Sequence, residues 1–228
     1  RFNTFFAALI PYALGLPKTF EIVVKENNGS IKLQKAKTMA TELYDPSINS
    51  CSNDLCLEIL EENTAVITIS SFNYYEWNNY AVFKSFLDSS MKVIENKKIK
   101  NLMIDVRYNR GGSQHPSIYL LQHLMDKPFT YYSKVESEGK TDKTYGEEIF
   151  HPVDHRFKGK VYFLIDGNGH STTGHFMSLV KVHNLGTILG EELGSNQFCT
   201  AGQTLFRLSN TKFVVSSANN THVSTAIT

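Results

Sequence analysis

An excess of charge of either sign is missing, since 23 Lys plus Arg face 22 Asp plus Glu. That balance makes no electrostatic case for nucleic acid or an acidic membrane surface as partner, because both are held through clustered positive charge. Long apolar runs are missing as well. No stretch approaches the roughly 18 residues a membrane helix needs, so membrane insertion is not expected. Cysteine is scarce, at three residues. Cys51 and Cys56 share a polar loop (N-S-C-S-N-D-L-C) in which a local disulfide and two free thiols are both open readings, and Cys199 is left over. No His and Cys set has ligand spacing, so neither a metal nor a cofactor is expected. A leader is not visible either: the chain begins at Arg1 with no charged, apolar and cleavable series, and reads as an excised or mature piece. The sequons at Asn28 and Asn219 say little without the host.

What is present is an ordinary globular composition, 41% hydrophobic with 15 Phe and 11 Tyr in 228 residues. Such a chain buries a real core in one domain, or in one domain plus a small appendage. Residues 1–16 suggest a short apolar helix broken near Pro11 and stopped at Gly15 and Pro17. Residues 20–26 and 30–36 alternate around N-N-G, which is hairpin chemistry. These two features make residues 1–50 an appendage of helix and β-hairpin, and residues 51–228 the core domain.

Within the core, L-E-I-L and A-V-I-T-I-S read as a second hairpin, and Tyr80, Phe83, Leu87, Met91 and Ile94 recur at helical spacing over 75–98. Two units of one architecture follow. Leu102 to Val106 is an apolar strand ending in R-Y-N-R-G-G before a helix through Leu120, Leu121 and Leu124. Val161 to Ile165 is another, ending in D-G-N-G-H-S before a helix marked by Phe176, Leu179 and Val180, with T-I-L-G next. Buried strands alternating with helices predict an α/β fold with parallel pairing, and ligands of such sheets sit at the carboxyl ends of the strands. Both glycine-bearing loops lie at such ends. From 202 onward, Q-T-L-F-R-L, K-F-V-V-S and H-V-S-T-A-I read as three short strands with a tight turn at Ser209 and Asn210.

A Ser that opens a helix after a strand is what nucleophilic catalysis asks for, because the turn exposes the hydroxyl and the first N–H groups of the helix stabilise an oxyanion. Ser171 meets that description. Paired Gly111 and Gly112 at the other strand end let an N–H approach without a Cβ in the way. On local pattern alone a plainer reading stands beside this one: Ser171 or Thr172 N-caps its helix and the glycines turn the chain.

N-L-M-I-D-V-R-Y-N-R-G-G resembles the D-x-R-x-N-x-G-G strand and loop of the C-terminal processing (tail-specific) serine peptidases. G-K-V-Y-F-L-I-D-G-N-G-H-S-T-T-G-H-F resembles their nucleophile segment, and T-I-L-G-E-E-L-G their G-E-x-T-G run. The likeness covers roughly 55–228, in family order. It implies the ClpP/crotonase-like fold, a spiral of β-β-α units, with the 20–36 hairpin as the remnant of a PDZ-like or helical region. It implies Ser171 as nucleophile, Gly112 and Thr172 as oxyanion N–H donors, Gly111 and Gly112 at the substrate, and Asp105 with Arg107 as a structural pair. It also implies a polypeptide substrate and a place outside the cytoplasm, the bacterial periplasm in most members.

The departures concern the general base. The family Lys of F-G-K-G falls on Asn196, the His of the related tricorn core falls on Thr68, and the acid near the helix start falls on Gly174. His175, one turn after Ser171 on the same helix face, is the local candidate, kept neutral by the positive helix end; a His merely packed at a helix start is the other reading. His115 and His170 lie near the two loops, and the other histidines, His222 among them, carry no positional argument. The expected function is therefore a serine-type peptidase acting on extended or unfolded polypeptide. The alternative is a catalytically silent binding module on the same fold, as resemblance to interphotoreceptor retinoid-binding protein modules allows. An acyl-CoA enzyme of crotonase type shares the fold, but no basic site for the phosphates is visible. A bulky residue at Gly112 is expected to abolish acylation and leave the fold intact.

Overall fold

The computed structural model describes residues 19–25, 28–37, 54–61, 63–73, 80–137, 140–142 and 144–225. It divides into two units, 1–52 and 53–228. The apolar helix expected over 1–16 and Cys51 of the expected pair lie outside the described residues. Cys56 is disulfide-bonded and Cys199 is a free thiol.

In the first unit β1 (Thr19–Lys25) pairs antiparallel with β2 (Ile31–Lys37), from Thr19 opposite Lys37 to Lys25 opposite Ile31. Asn28 and Gly29 turn the chain between them. Gly29 takes φ +84°, which costs a residue without Cβ little, and Asn28 Oδ1 accepts from the Ser30 N–H at 2.8 Å.

The second unit is mixed α/β. Its main sheet runs β11–β10–β5–β4–β3 in space, from β3 (Leu55–Glu61), β4 (Thr64–Ile69), β5 (Asn101–Asp105), β10 (Lys160–Ile165) and β11 (Thr187–Gly190). The β3–β4 hairpin is antiparallel, and β4, β5, β10 and β11 are parallel. Register is level: Thr68, Asp105 and Leu164 stand side by side, so the carboxyl ends of three strands open at one edge of the sheet. The parallel strands are joined by helices because a parallel pair needs a crossover. α1 (Ala81–Asn96) buries Phe83, Leu87, Met91 and Ile94, the apolar stripe that its period predicts, together with Ser90. α2 (Gln114–Gln122) follows β5, and α3 (Thr172–Val182) follows β10.

Phe72, Phe83, Phe163 and Phe176 are fully buried where helices meet sheet. Phe72 lies 6.4 Å from Phe83 and 5.7 Å from Phe176 between ring centroids, so one ring from the loop after β4 joins α1 to α3.

A second sheet, ordered β12–β13–β7–β8, contains β12 (Phe198–Arg207), β13 (Val214–Ser224), β7 (Tyr132–Ser137) and β8 (Lys140–Asp142). β6 (Phe129–Thr130) and β9 (Ile149–Phe150) form a separate short pair. The sequence reading divided 202 onward into three short strands, whereas residues 214–216 of K-F-V-V-S and 222–224 of H-V-S-T-A-I fall on one continuous strand, β13. The polar S-S-A-N-N between them is strand too, held by backbone pairing with β12 and, at its end, with β7; the outer part of this hairpin is exposed, so no buried face imposes apolar alternation there.

Phe72→Ala is expected to lower stability by about 3–5 kcal/mol, the cost of truncating a fully buried aromatic and leaving its cavity. Urea denaturation followed by circular dichroism checks it, and a change under about 1 kcal/mol would contradict the joining role given to this ring.

Candidate active site

The two strand-end loops meet at Asn109, which is fully buried. Its Nδ2 donates to the Ile69 carbonyl at the end of β4 at 2.9 Å, and its Oδ1 accepts from the Gly111 N–H at 2.8 Å. Its backbone carbonyl accepts from the His170 N–H at 3.1 Å and from Thr173 Oγ1 at 3.0 Å. Asp166 adds a second tie, its Oδ1 accepting from the N–H groups of Tyr108 at 3.0 Å and Asn168 at 3.1 Å. Asp105 and Arg107 form a bidentate pair, with Nε at 2.9 Å and Nη2 at 2.6 Å from the two carboxylate oxygens. Hydrogen bonding to Asp105 holds the guanidinium above its usual range. The pair braces the start of the loop, where the Arg107 N–H also donates to Asp105 Oδ1.

The glycines are required by space. A Cβ on Gly111, at φ +87°, would stand 2.6 Å from the His170 carbonyl oxygen, 2.7 Å from Ser171 Cβ and 2.8 Å from the Thr172 nitrogen. Gly112, at φ +144°, is tighter still: its Cβ would meet the Phe72 carbonyl carbon at 2.3 Å and the Asn73 nitrogen at 2.4 Å. These are backbone atoms of a bridge in which Phe72 N–H donates to the Gly111 carbonyl and Ser113 N–H to the Phe72 carbonyl. The expectation that a bulky residue at Gly112 would spare the fold is therefore corrected: the side chain would have to displace backbone.

Ser171 occupies the N-cap position of α3 with φ 54° and ψ −124°, and its side chain makes no capping hydrogen bond. Thr172 does not cap either; its hydroxyl donates to the Gly112 carbonyl at 2.6 Å, drawing the glycine loop onto the helix start. The plainer reading of Ser171 and Thr172 as caps thus fails, whereas Ser113 does cap α2 by accepting from the His115 N–H at 3.3 Å. A non-glycine residue at such a φ costs about 1–3 kcal/mol and persists only where surrounding contacts fix it. Thr172, first in its helix, has no intrahelical acceptor, and among the described residues neither its N–H nor that of Gly112 finds a hydrogen-bond partner.

The hydroxyl of Ser171 meets a group that the sequence reading did not single out. Its Oγ lies 3.3 Å from Sγ of Cys199 on β12. His175 is elsewhere: its Nε2 donates to the His222 carbonyl at 3.2 Å, and its ring stands edge-on to Tyr132 and Tyr131, 5.3 and 6.0 Å away. No hydrogen bond joins His175 to Ser171. The ring is 2% exposed with Nδ1 unpartnered, and burial lowers its pKa from 6.5 to about 4. His115 stacks on Tyr80 at 5.6 Å, and the ring of His170 lies against Gly194, leaving no room there for a Cβ.

The positions at which the resemblance led one to expect a base or an acid are occupied for local reasons. Thr68 is buried in β4. Asn196 caps its own loop, Oδ1 accepting from the Phe198 N–H at 2.9 Å. That loop presses on the helix start, where a Cβ on Gly174 would come within 2.2 Å of Ser195 Oγ and 2.6 Å of the Asn196 carbonyl oxygen. An acid at position 174 has no room. Gly190 is similarly excluded from carrying a side chain by the Ile165 carbonyl, 2.0 Å from its would-be Cβ.

A family model described as Peptidase family S41 matches residues 63–224. Solved structures similar to the chain include the photosystem II D1 C-terminal processing protease, at 12% identity and TM-score 0.53 over 90% of this chain and 50% of that one. Mature CPAF has the same identity and TM-score over 90% and 59%. A peptidase from Parabacteroides merdae is 17% identical, with TM-score 0.51 over 78% and 53%. The chain thus spans between half and three fifths of these relatives, and the likeness to them is one of fold. No curated protein matches it in sequence.

Because the folded His175 titrates below its ordinary value, protonation favours the unfolded chain. Its contribution to stability is intact above pH 6.5 and is lost as pH falls towards 4, by up to about 3 kcal/mol. In His175→Gln, whose amide still donates to the His222 carbonyl, that part of the acid loss should vanish. Denaturation midpoints of both proteins at pH 7 and pH 4 make the comparison, and equal losses would show that this ring does not titrate as described.

Proposed function

Since the chain belongs to peptidase family S41, we propose that it hydrolyses peptide bonds in extended or unfolded polypeptide, with Ser171 as the nucleophile. The observation that carries the reading is the backbone at Ser171: a non-glycine residue held at φ 54°, where its side chain does no capping work, beside two N–H groups without partners. Oγ attacks the scissile carbonyl carbon, and the oxygen that gains charge settles between the N–H groups of Gly112 and Thr172 at the positive end of α3. The acyl-enzyme on Ser171 then yields to water. Gly111, whose Cβ would fall against Ser171 and Thr172, keeps the approach to that carbonyl clear of a side chain, and Gly112 lets its backbone lie close beside it.

The architecture supports placing the core, residues 51–228, with the ClpP/crotonase-like folds, as a set of β-β-α units whose parallel strands deliver both loops to one edge. Residues 1–50 are an appendage to it. A disulfide-bonded Cys56 suits an oxidising compartment outside the cytoplasm, such as the periplasm. One observation favours the silent binding module instead: neither a Lys nor a His is hydrogen-bonded to the Ser171 hydroxyl among the described residues.

Fluorophosphonate labelling separates the two readings. The wild-type chain should be labelled on Ser171 and should cleave an unfolded protein substrate, and Ser171→Ala should lose both activities while keeping its thermal midpoint to within a few degrees. A wild type that takes no label and cuts nothing would leave the binding module as the function.

A further inference from the structure

A sheet that ends on an unpaired strand leaves half of that strand's amide and carbonyl groups without partners, and such a row can take up another extended chain. β12 is the terminal strand of the second sheet, with β13 on its inner side and, among the described residues, no strand on its outer side. It is ten residues long, contains no Pro and carries a single charge, Arg207, at its far end. Charge and Pro are the usual means of keeping other chains off an edge, so this one is left open along the stretch nearest Ser171.

The ladder decides which groups face outward. The Gln197 carbonyl accepts from the Ser224 N–H, so Gln197 turns its backbone polar groups inward. Direction alternates along an antiparallel strand, so Cys199 does the same, while Phe198 and Thr200 turn theirs to the outer edge. The Phe198 N–H agrees with this, since it leaves the ladder for Asn196 Oδ1 at 2.9 Å. Asn196 thus closes the first outward donor, and the Phe198 carbonyl and the Thr200 N–H come next. Both residues are exposed, and among the described residues neither of these two groups finds a partner.

Between them sits Cys199, whose Sγ lies 3.3 Å from Ser171 Oγ. Side chains alternate across a strand, so Cys199 turns to the face that carries Ser171, and Phe198 and Thr200 turn to the other. A strand added to this edge lies about 4.8 Å from β12. Its backbone passes Cys199 on the side away from β13, and so runs close to the hydroxyl that the thiol touches.

We propose that a polypeptide docks as an added strand on the outer edge of β12, donating to the Phe198 carbonyl and accepting from the Thr200 N–H, and that this contact lays the scissile carbonyl beside Ser171. The proposal rests on the reading of the Ser171 cleft as the place where polypeptide is received. Recognition through main-chain groups is indifferent to sequence, which suits a site for unfolded chains. A segment already in a helix or sheet has its N–H and C=O groups paired and cannot be taken up. Phe198, 50% exposed, gives an apolar surface to a substrate side chain on the face away from Ser171.

The first measurement is amide hydrogen exchange, read residue by residue by NMR in Ser171→Ala with and without α-casein, an unfolded polypeptide. The Thr200 N–H should exchange at least about 10-fold more slowly once casein is bound. The second is casein cleavage by Thr200→Pro, which removes that donor and leaves the ladder with β13 whole, because Pro is accommodated where the N–H faces outward. Its kcat/KM should fall about 10-fold, the upper range for one hydrogen bond, and well below that of Thr200→Ala, which keeps the N–H. Labelling of Ser171 by a small fluorophosphonate, which lays down no strand, should slow far less than cleavage does. The exchange measurement leaves β12 unaltered, so it decides the matter if Thr200→Pro folds poorly. Unchanged exchange at Thr200 with casein bound, or equal kcat/KM in a folded Thr200→Pro and Thr200→Ala, would overturn strand addition and leave Ser171 standing as nucleophile. Slowed exchange in a protein whose wild type takes no label would uphold the docking edge and bring down hydrolysis alone. Casein that neither binds Ser171→Ala nor is cut by the wild type would bring down both.

Discussion

Everything at the carboxyl edge of the main sheet hangs on the hydrogen bonds of one buried amide. Asn109 accepts from one loop, donates to the end of β4 and offers its backbone carbonyl to the start of α3. Thr173 Oγ1 reaches its Oδ1 as well, at 2.9 Å. An amide suits this position because it has both donor and acceptor capacity in one planar group, and an Asp here would lose the donor that the Ile69 carbonyl needs. A buried group with several partners is costly to disturb, since each partner left unpaired costs about 1–3 kcal/mol. The strain at Ser171 is tolerable because this network fixes the backbone on either side of it.

The same network explains which parts of the site were legible in the sequence. The D-V-R-Y-N-R-G-G segment maps onto it residue by residue: Asp105 braces Arg107, Asn109 ties the loops, and the two glycines let backbones touch. These are local requirements, each met by a residue type that few others could replace, so they leave a readable trace. The parallel pairing of β5, β10 and β11 was legible for a similar reason, because short apolar runs alternating with amphipathic helices have few ways to pack; that β4, read only as a hairpin strand, also pairs parallel with β5 was not.

What the sequence did not reveal is what arrives from far along the chain. Cys199 reaches Ser171 across 28 residues, and the His222 carbonyl reaches His175 across 47. Helical spacing correctly put His175 one turn from Ser171, yet spacing says nothing of competing acceptors or aromatic neighbours. Tyr131, Tyr132 and the His222 carbonyl claimed the ring, and once it was buried among them its proton affinity fell. The continuous strand through Ser216 and Asn220 escaped notice by a related route. Pairing with β12 and β7 holds it, and pairing of backbone groups leaves no mark in side-chain hydrophobicity when both faces are exposed.

The two sheets therefore bring different kinds of group to Ser171. The main sheet positions Ser171 itself and the unpartnered N–H groups of Gly112 and Thr172, all at the ends of strands and the start of a helix. The second sheet supplies side chains: Cys199 from β12, His222 from β13 and Tyr132 from β7, with His175 of α3 locked into their stack. Such a division tolerates change in one half without loss of the other. Backbone N–H groups do not depend on the side chains around them. The loop carrying Asn196 lies against α3 where Gly174 has no side chain. That close approach carries the chain into β12 beside the helix start, and three residues beyond Asn196 it sets a thiol against the hydroxyl. The contact between Cys199 and Ser171 is in this sense governed by how near Ser195 and Asn196 come to the first turn of α3.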